Sequence, residues 1–252
     1  MASITVEVQR HIAVVTLDRP PTNSLVRDTY LQLQKTFDEI GDIPGVRAVV
    51  LRGAGRCFCT GNDVHEFVGI DSGPEAAAYA QSVSDGVAAV YNCKIPVIAA
   101  VHGHALGAGM AIAACADVIV AADDSVFGIP EIKVGVIGAA AFLGLIVPEK
   151  VARYLSLTGE SISAREVKAY GGIQCIVPTA EVFDRAMEIA TAISSNAPTG
   201  VRYFKEAMNI NQNARLVEKY AVESAYTVQF FESPESRESV SAFFEKRMPD
   251  FD

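Results

Sequence analysis

The chain has 252 residues, half of them apolar, enough to bury a substantial core as one globular unit with a small appendage. A formal net charge of −9 argues against nucleic acid, because neutralising phosphates needs a basic face. Small anionic ligands stay open, since they need only a few local cations. The five cysteines (Cys57, Cys59, Cys93, Cys115, Cys175) are an odd set sitting mostly in apolar runs. Cys57-x-Cys59 has no second pair at metal-ligand spacing, so no metal site is expected. The start, MASITVEVQR, lacks the cationic lead and apolar run of a leader, and a reduced, cytoplasmic location is the expectation.

In chain order, Ile4–Val8 and Ile12–Leu17 read as an antiparallel hairpin, followed by a turn cluster at Asp18–Asn23. Tyr30, Leu33, Phe37 and Ile40 recur at helical spacing within Leu25–Ile40, with Gly41 closing the helix. Val46–Leu51 is a buried strand leaving through Gly53-Ala54-Gly55-Arg56. Cys57–Phe67 then makes a strand-to-helix turn around Gly61-Asn62-Asp63, and Pro74–Tyr91 is a long helix.

The next stretch, Ile95–Glu131, carries the most information. It predicts a strand at Pro96–Val101, a glycine-rich turn at Gly103–Gly109, a small-residue helix at Ala108–Cys115, a strand at Asp117–Ala121, and a carboxylate at Glu131. A turn with little side-chain bulk feeding a helix N-terminus presents backbone N–H groups to an anion or carbonyl oxygen. Glu131 adds an acid that can move a proton, a pairing that suggests acyl chemistry. Ile95–Ala116 is uncharged and long enough to span a bilayer, but Pro96, His102, His104 and three glycines interrupt it, and no basic cluster flanks it. Gly103, Gly107 and Gly109 are also out of register for a dinucleotide fingerprint. From Pro148 onward the pattern is helical: Pro148–Leu157, Ser163–Ala169, Glu181–Ser194, and Thr199–Phe244 with breaks. The expectation is a layered α/β core over residues 1–197 and a helical segment over 198–252, divided near Pro198. Apolar residues of that segment (Tyr226, Val228, Phe230, Phe231, Phe243, Phe244) are expected to pack on the core or on a neighbouring subunit.

Six ordered blocks resemble the crotonase superfamily, also called the enoyl-CoA hydratase/isomerase family. They are Leu17-Asp18-Arg19-Pro20 with Asn23; Phe58–Asp63; Pro96–Gly103; Ala105–Gly109; Phe127–Glu131; and Ala242–Arg247. The resemblance implies a spiral of ββα turns with a helical C-terminal extension, assembly as a homotrimer or homohexamer, and an acyl-coenzyme A thioester as substrate. Coenzyme A is then part of the substrate, and no further cofactor is implied. By the same resemblance the N–H groups of Asn62 and Ala108 form an oxyanion hole for the thioester enolate, with Glu131 as proton carrier. The loop Cys59-Thr60-Gly61 and Gly107 line the ligand. Arg19 and Lys246 are the candidate phosphate cations, Lys246 reaching a neighbouring subunit's ligand.

Hydratases of this family commonly use two glutamates, and the first would stand two residues after Gly109, where this chain has Ala111. One carboxylate holds and delivers water poorly but can lift a proton from one carbon and return it to another. The leading expectation is therefore 3-enoyl-CoA to 2-enoyl-CoA isomerisation. The helix-prone run Val136–Phe142, where many hydratases carry a glycine-rich turn, leans the same way. Two alternatives stay open. One is a hydratase or hydratase-lyase in which Glu66, His65 or His104 replaces the missing acid, and the other is a non-catalytic acyl-CoA binder.

Overall fold

The computed structural model of the chain describes residues 4–63, 65–66, 73–131, 139–211, 234–235, 238, 242 and 245–251. The hairpin of β1 (Ile4–Gln9) and β2 (Ile12–Leu17) forms as the alternation predicts, with Val6 opposite Val15. β2 continues in parallel to β3 (Ala48–Gly53), β3 to β4 (Val97–Val101), and β4 to a strand we label β6 (Val118–Ala122). The last strand of this six-stranded sheet is β9 (Cys175–Val177).

Parallel sheets bury both faces, so their strands read as unbroken apolar runs. Here successive residues divide between two cores. Val49, Leu51, Val97 and Ala99 face helices α1 (Arg27–Glu39), α2 (Gly73–Tyr91) and α3 (Ala108–Ala114) through Leu33, Phe37, Val87, Val90 and Met110. Ala48, Val50, Ile98 and Ala100 face the opposite way, onto Val182, Ala186 and Ala190 of α7 (Val182–Ser194).

A second, small sheet holds the site. It joins β5 (His104–Leu106) in parallel to β7 (Val126–Gly128), and β7 antiparallel to β8 (Ser161–Ser163). Cys59 extends it by a single parallel bridge to Ala105. Three consecutive passes therefore repeat one plan, a long-sheet strand, a short-sheet position, then a helix: β3–Cys59–α2, β4–β5–α3, and β6–β7–α4 (Ala140–Leu143). This is the α/β spiral that the resemblance implies.

Some expectations change. The glycine-rich turn at 103–109 contains β5, and the half expected to be helical contains β8 and β9 between α5 (Glu149–Thr158), α6 (Ala164–Ala169) and α7. Three residues are too few for a two-residue period to show, and each of these strands is fixed by a partner distant in sequence. A 3₁₀ turn at Ile40–Asp42 runs through Gly41 rather than ending there. α2 begins at Gly73, and Cys59 and Asn62 make isolated bridges rather than a strand. Residues 136–138 of the alanine run and the apolar residues Tyr226, Val228, Phe230, Phe231, Phe243 and Phe244 lie outside the described residues.

Pro198 opens α8 (Pro198–Asn211), a first position that needs no N–H. The helix is tied down by Lys205, only 3% exposed, whose Nζ donates to Asp117 Oδ2 at 2.7 Å and to the Ile95 carbonyl at 3.1 Å. Asp117 Oδ2 also accepts from the Val97 N–H at 2.7 Å, so the ion pair is braced by two main-chain groups of the strand's start. Among the described residues no helix is long and apolar enough to cross a membrane, and Ile95–Ala116 is spent on β4, β5 and α3.

Candidate active site

The small sheet lines up Cys59, Ala105 and Phe127 as neighbours in one row. Because these positions run parallel, the chain leaves them all at the same end. Three residues beyond Cys59 stands Asn62, three beyond Ala105 stands Ala108, and four beyond Phe127 stands Glu131. Register alone thus delivers two main-chain amides and one carboxylate to one end of one sheet.

The first turn is fastened by side chains. Asn23, 2% exposed and at φ 55°, donates its amide to the carbonyls of Ala54, Cys57 and Phe58, while its Oδ1 accepts the Arg19 N–H. The Arg19 guanidinium donates to Asp63 Oδ2 at 2.8 Å and to the Ser24 hydroxyl at 2.6 Å. That contact, with the His65 N–H, holds the Asp63 carboxyl below the usual carboxylate range. Leu25 forms a parallel bridge with Asn62 through Gly61 C=O and Asp63 N–H. In such a bridge the flanking residues make the bonds, so the N–H of Asn62 itself points away from Leu25. It has no acceptor among the described residues.

The second turn is fastened by main chain and by the absence of side chains. Cys59 N–H donates to His104 C=O, Leu106 N–H to Cys59 C=O, and Gly107 N–H to Gly128 C=O at 2.8 Å. Ala108 is the first residue of α3, and its N–H is one of the donors every helix start leaves over. A Cβ built on Gly109 would stand 2.2 Å from Cys59 O. One built on Gly61 would stand 3.3 Å from Ala108 N, so the two turns touch next to both donors.

Glu131 lies over Gly107. A Cβ on Gly107 would fall 2.1 Å from Glu131 Oε1, and its φ of 54° with ψ of −126° is open only to glycine. Glu131 Oε2 is buried without a hydrogen-bond partner among the described residues. Burial pushes the carboxyl above its ordinary pKa, partly opposed by a bond from its own main-chain N–H. A half-buried carboxylate with an unsatisfied oxygen beside two unused amides is equipped to trade protons with a group placed between them.

The other residues singled out from the sequence fall as follows. Cys59 is fully buried and its main chain is paired to β5; its thiol, pushed up to about 12 by burial, donates to Asn23 O. Thr60 bonds Thr22 O through both its N–H and its hydroxyl, and Gly61 C=O accepts from Leu25. Arg19, expected as a phosphate cation, donates to Asp63 and Ser24 with its side chain 35% accessible. Lys246 is exposed at φ 55°, next to an Arg247 paired with Glu238 and Glu245. Ala111 is buried in the core of α3. Glu66 accepts the Arg27 N–H at the start of α1, and His65 and His104 are exposed.

One residue escaped the sequence reading. Tyr30, read only as core spacing, is wholly buried yet its hydroxyl donates to Asn62 Oδ1.

Comparison with known proteins places this architecture. A profile of the enoyl-CoA hydratase/isomerase family matches residues 7–252. A Rhodococcus jostii protein, (7aS)-7a-methyl-1,5-dioxo-2,3,5,6,7,7a-hexahydro-1H-indene-carboxyl-CoA hydrolase, is 33% identical, covering 94% of this chain and 92% of its own. (E)-Benzylidenesuccinyl-CoA hydratase of Thauera aromatica is 33% identical over 98% of each. The crystal structure of enoyl-CoA hydratase from Bacillus anthracis superposes with a TM-score of 0.93 at 30% identity, covering 99% of this chain and 98% of that one. The chain belongs to the enoyl-CoA hydratase/isomerase family and is an enzyme of that family.

Proposed function

We propose that the enzyme binds an acyl-CoA thioester with its carbonyl oxygen between the N–H groups of Asn62 and Ala108, and that Glu131 is its acid–base group. Removing an α-proton puts negative charge on that oxygen, and two fixed amides stabilise it without reorganising. The start of α3 adds its dipole to the same point. Isomerisation of 3-enoyl-CoA to 2-enoyl-CoA then follows. Glu131 takes the α-proton, the dienolate charge rests on the oxygen, and Glu131 returns the proton to the γ-carbon. The observation that carries this reading is Glu131 against Gly107, with Ala111 leaving no second carboxylate on α3. Gly107 belongs to the ligand wall in this reading because Glu131 requires it bare. Arg19 and Lys246 are the cations for phosphate in this reading, the latter across a homotrimer or homohexamer contact.

A second reading has Glu131 deprotonating water, for hydration or hydrolysis. What favours it is that the two relatives above are named a hydratase and a hydrolase. Incubation with 3-enoyl-CoA and with 2-enoyl-CoA, following thioester absorbance and product mass, separates the two. Isomerisation without mass gain, reduced by about 10²–10⁴ in Glu131→Gln, supports the first. Gain of one water supports the second. Saturable binding with no turnover of either thioester would leave a binding protein.

A further inference from the structure

We propose that Tyr30 is a positioning residue for the oxyanion hole: its hydroxyl, donated to Asn62 Oδ1 from inside the core, sets the direction of the Asn62 N–H. The inference rests on the reading of that N–H as a donor to the thioester oxygen. Among the described residues, the main chain at Asn62 is held through its neighbours, Gly61 C=O and Asp63 N–H, both to Leu25. The Gly61 C=O and the Asn62 N–H share one peptide plane, and the Leu25 N–H bond to that carbonyl at 2.8 Å fixes one edge of it. The Tyr30 hydroxyl adds a third point, on the side chain of Asn62 itself, so a tilt of that plane about the Leu25 bond meets a restraint.

Tyr30 is built to be a fixed reference. It is fully buried, packed between Leu33, Phe37 and the backbone of α2, where a Cβ on Gly86 would come within 3.0 Å of the Tyr30 ring. Glu66 caps the same helix three residues earlier at Arg27, so α1 is anchored at both points to the segment around the turn. The groups acting on the phenol are Cys59, Tyr79, Glu131 and Glu66, all of which, with burial, push its ionisation upward and keep the hydroxyl a donor across the working range. A buried phenol needs a hydrogen-bond partner. The core offers a large apolar residue at this place no reason to carry a hydroxyl, apart from Asn62.

The test uses the full-length enzyme and acetoacetyl-CoA, a thioester whose enolate absorbs in the near ultraviolet and whose bound enolate fraction reports donor strength without turnover. Tyr30→Phe keeps the ring and removes only the hydroxyl. We expect about tenfold less bound enolate at equal pH, the enolate titration displaced upward, and kcat for the enoyl-CoA substrate lower by about tenfold with KM within twofold. Asn62→Ala, which keeps the main-chain donor but removes the tether, should reproduce that loss, and the double variant should lose no more. A Tyr30→Phe enzyme with wild-type enolate titration overturns the role of Tyr30 alone. If that variant does not fold, a wild-type titration in Asn62→Ala overturns it equally. A wild-type enzyme that binds acetoacetyl-CoA without any gain in enolate would remove the donor reading itself, and the role of Tyr30 with it.

Discussion

The two turns that meet at the site are kept in place by opposite means. The turn at Asn62 is held by long-range side-chain contacts from the N-terminal segment: Asn23 to three carbonyls, Arg19 to Asp63, Tyr30 to Asn62. The turn at Ala108 is held by a main-chain ladder and by glycines against which other backbone packs directly. One is adjustable by substitution, charge and pH. The other tolerates almost nothing at its glycines and is indifferent to charge. A family scaffold that hosts many reactions gains from this division, since one donor can be retuned while its partner stays fixed.

The sharpest way to break the comparison is Gly107→Ala. A Cβ in the space of Glu131 Oε1 must move the acid, and a misplacement near 1 Å costs about a hundredfold in turnover. We expect at least that loss in steady-state assays, with the circular dichroism spectrum unchanged. Asn23→Ala tests the other turn. It leaves the carbonyls of Cys57 and Phe58 without their buried donor and places alanine at φ 55°, so stability should fall by about 3 kcal/mol in urea unfolding, with activity falling alongside.

Asp63→Asn is the mildest. The Arg19–Asp63 pair is partly exposed, with side chains 35% and 16% accessible, and its loss should lower kcat less than about fivefold. Acidification separates the two regions further. Glu131 must be ionised to accept a proton and its pKa is raised, so kcat/KM should fall as pH drops through a value above the ordinary carboxylate range. Asp63 is depressed. Its contribution to stability is complete above the unfolded Asp value and disappears only as pH falls through the lower folded one. Activity should therefore decline at a higher pH than the stability change that Asp63→Asn abolishes. A single coincident transition would count against this ordering.

Much of the frame was legible because it rests on local periodicity. Tyr30, Leu33 and Phe37 mark one face of α1, and the unbroken apolar runs of β3 and β4 mark strands buried on both sides. The short sheet was not legible. His104–Leu106 and Val126–Gly128 show no pattern by themselves and become strands only by pairing with each other. For the site, the resemblance brought Asn62, Ala108 and Glu131 forward. Partners that hold the first turn are distant in sequence, Tyr30 lying 32 residues from Asn62 and Arg19 44 from Asp63. Spacing carries no trace of such a pair, so Tyr30 read as packing and Arg19 as a free cation.

The ammonium of Lys205 sits where β4 begins and β6 is about to start, yet it belongs to the segment beyond residue 197. A chain severed at that border would keep both halves' sequences intact but remove the buried ammonium that bridges Asp117 and the Ile95 carbonyl. The strand that leads to the Ala108 turn is thus tied to a residue more than ninety positions downstream of that turn.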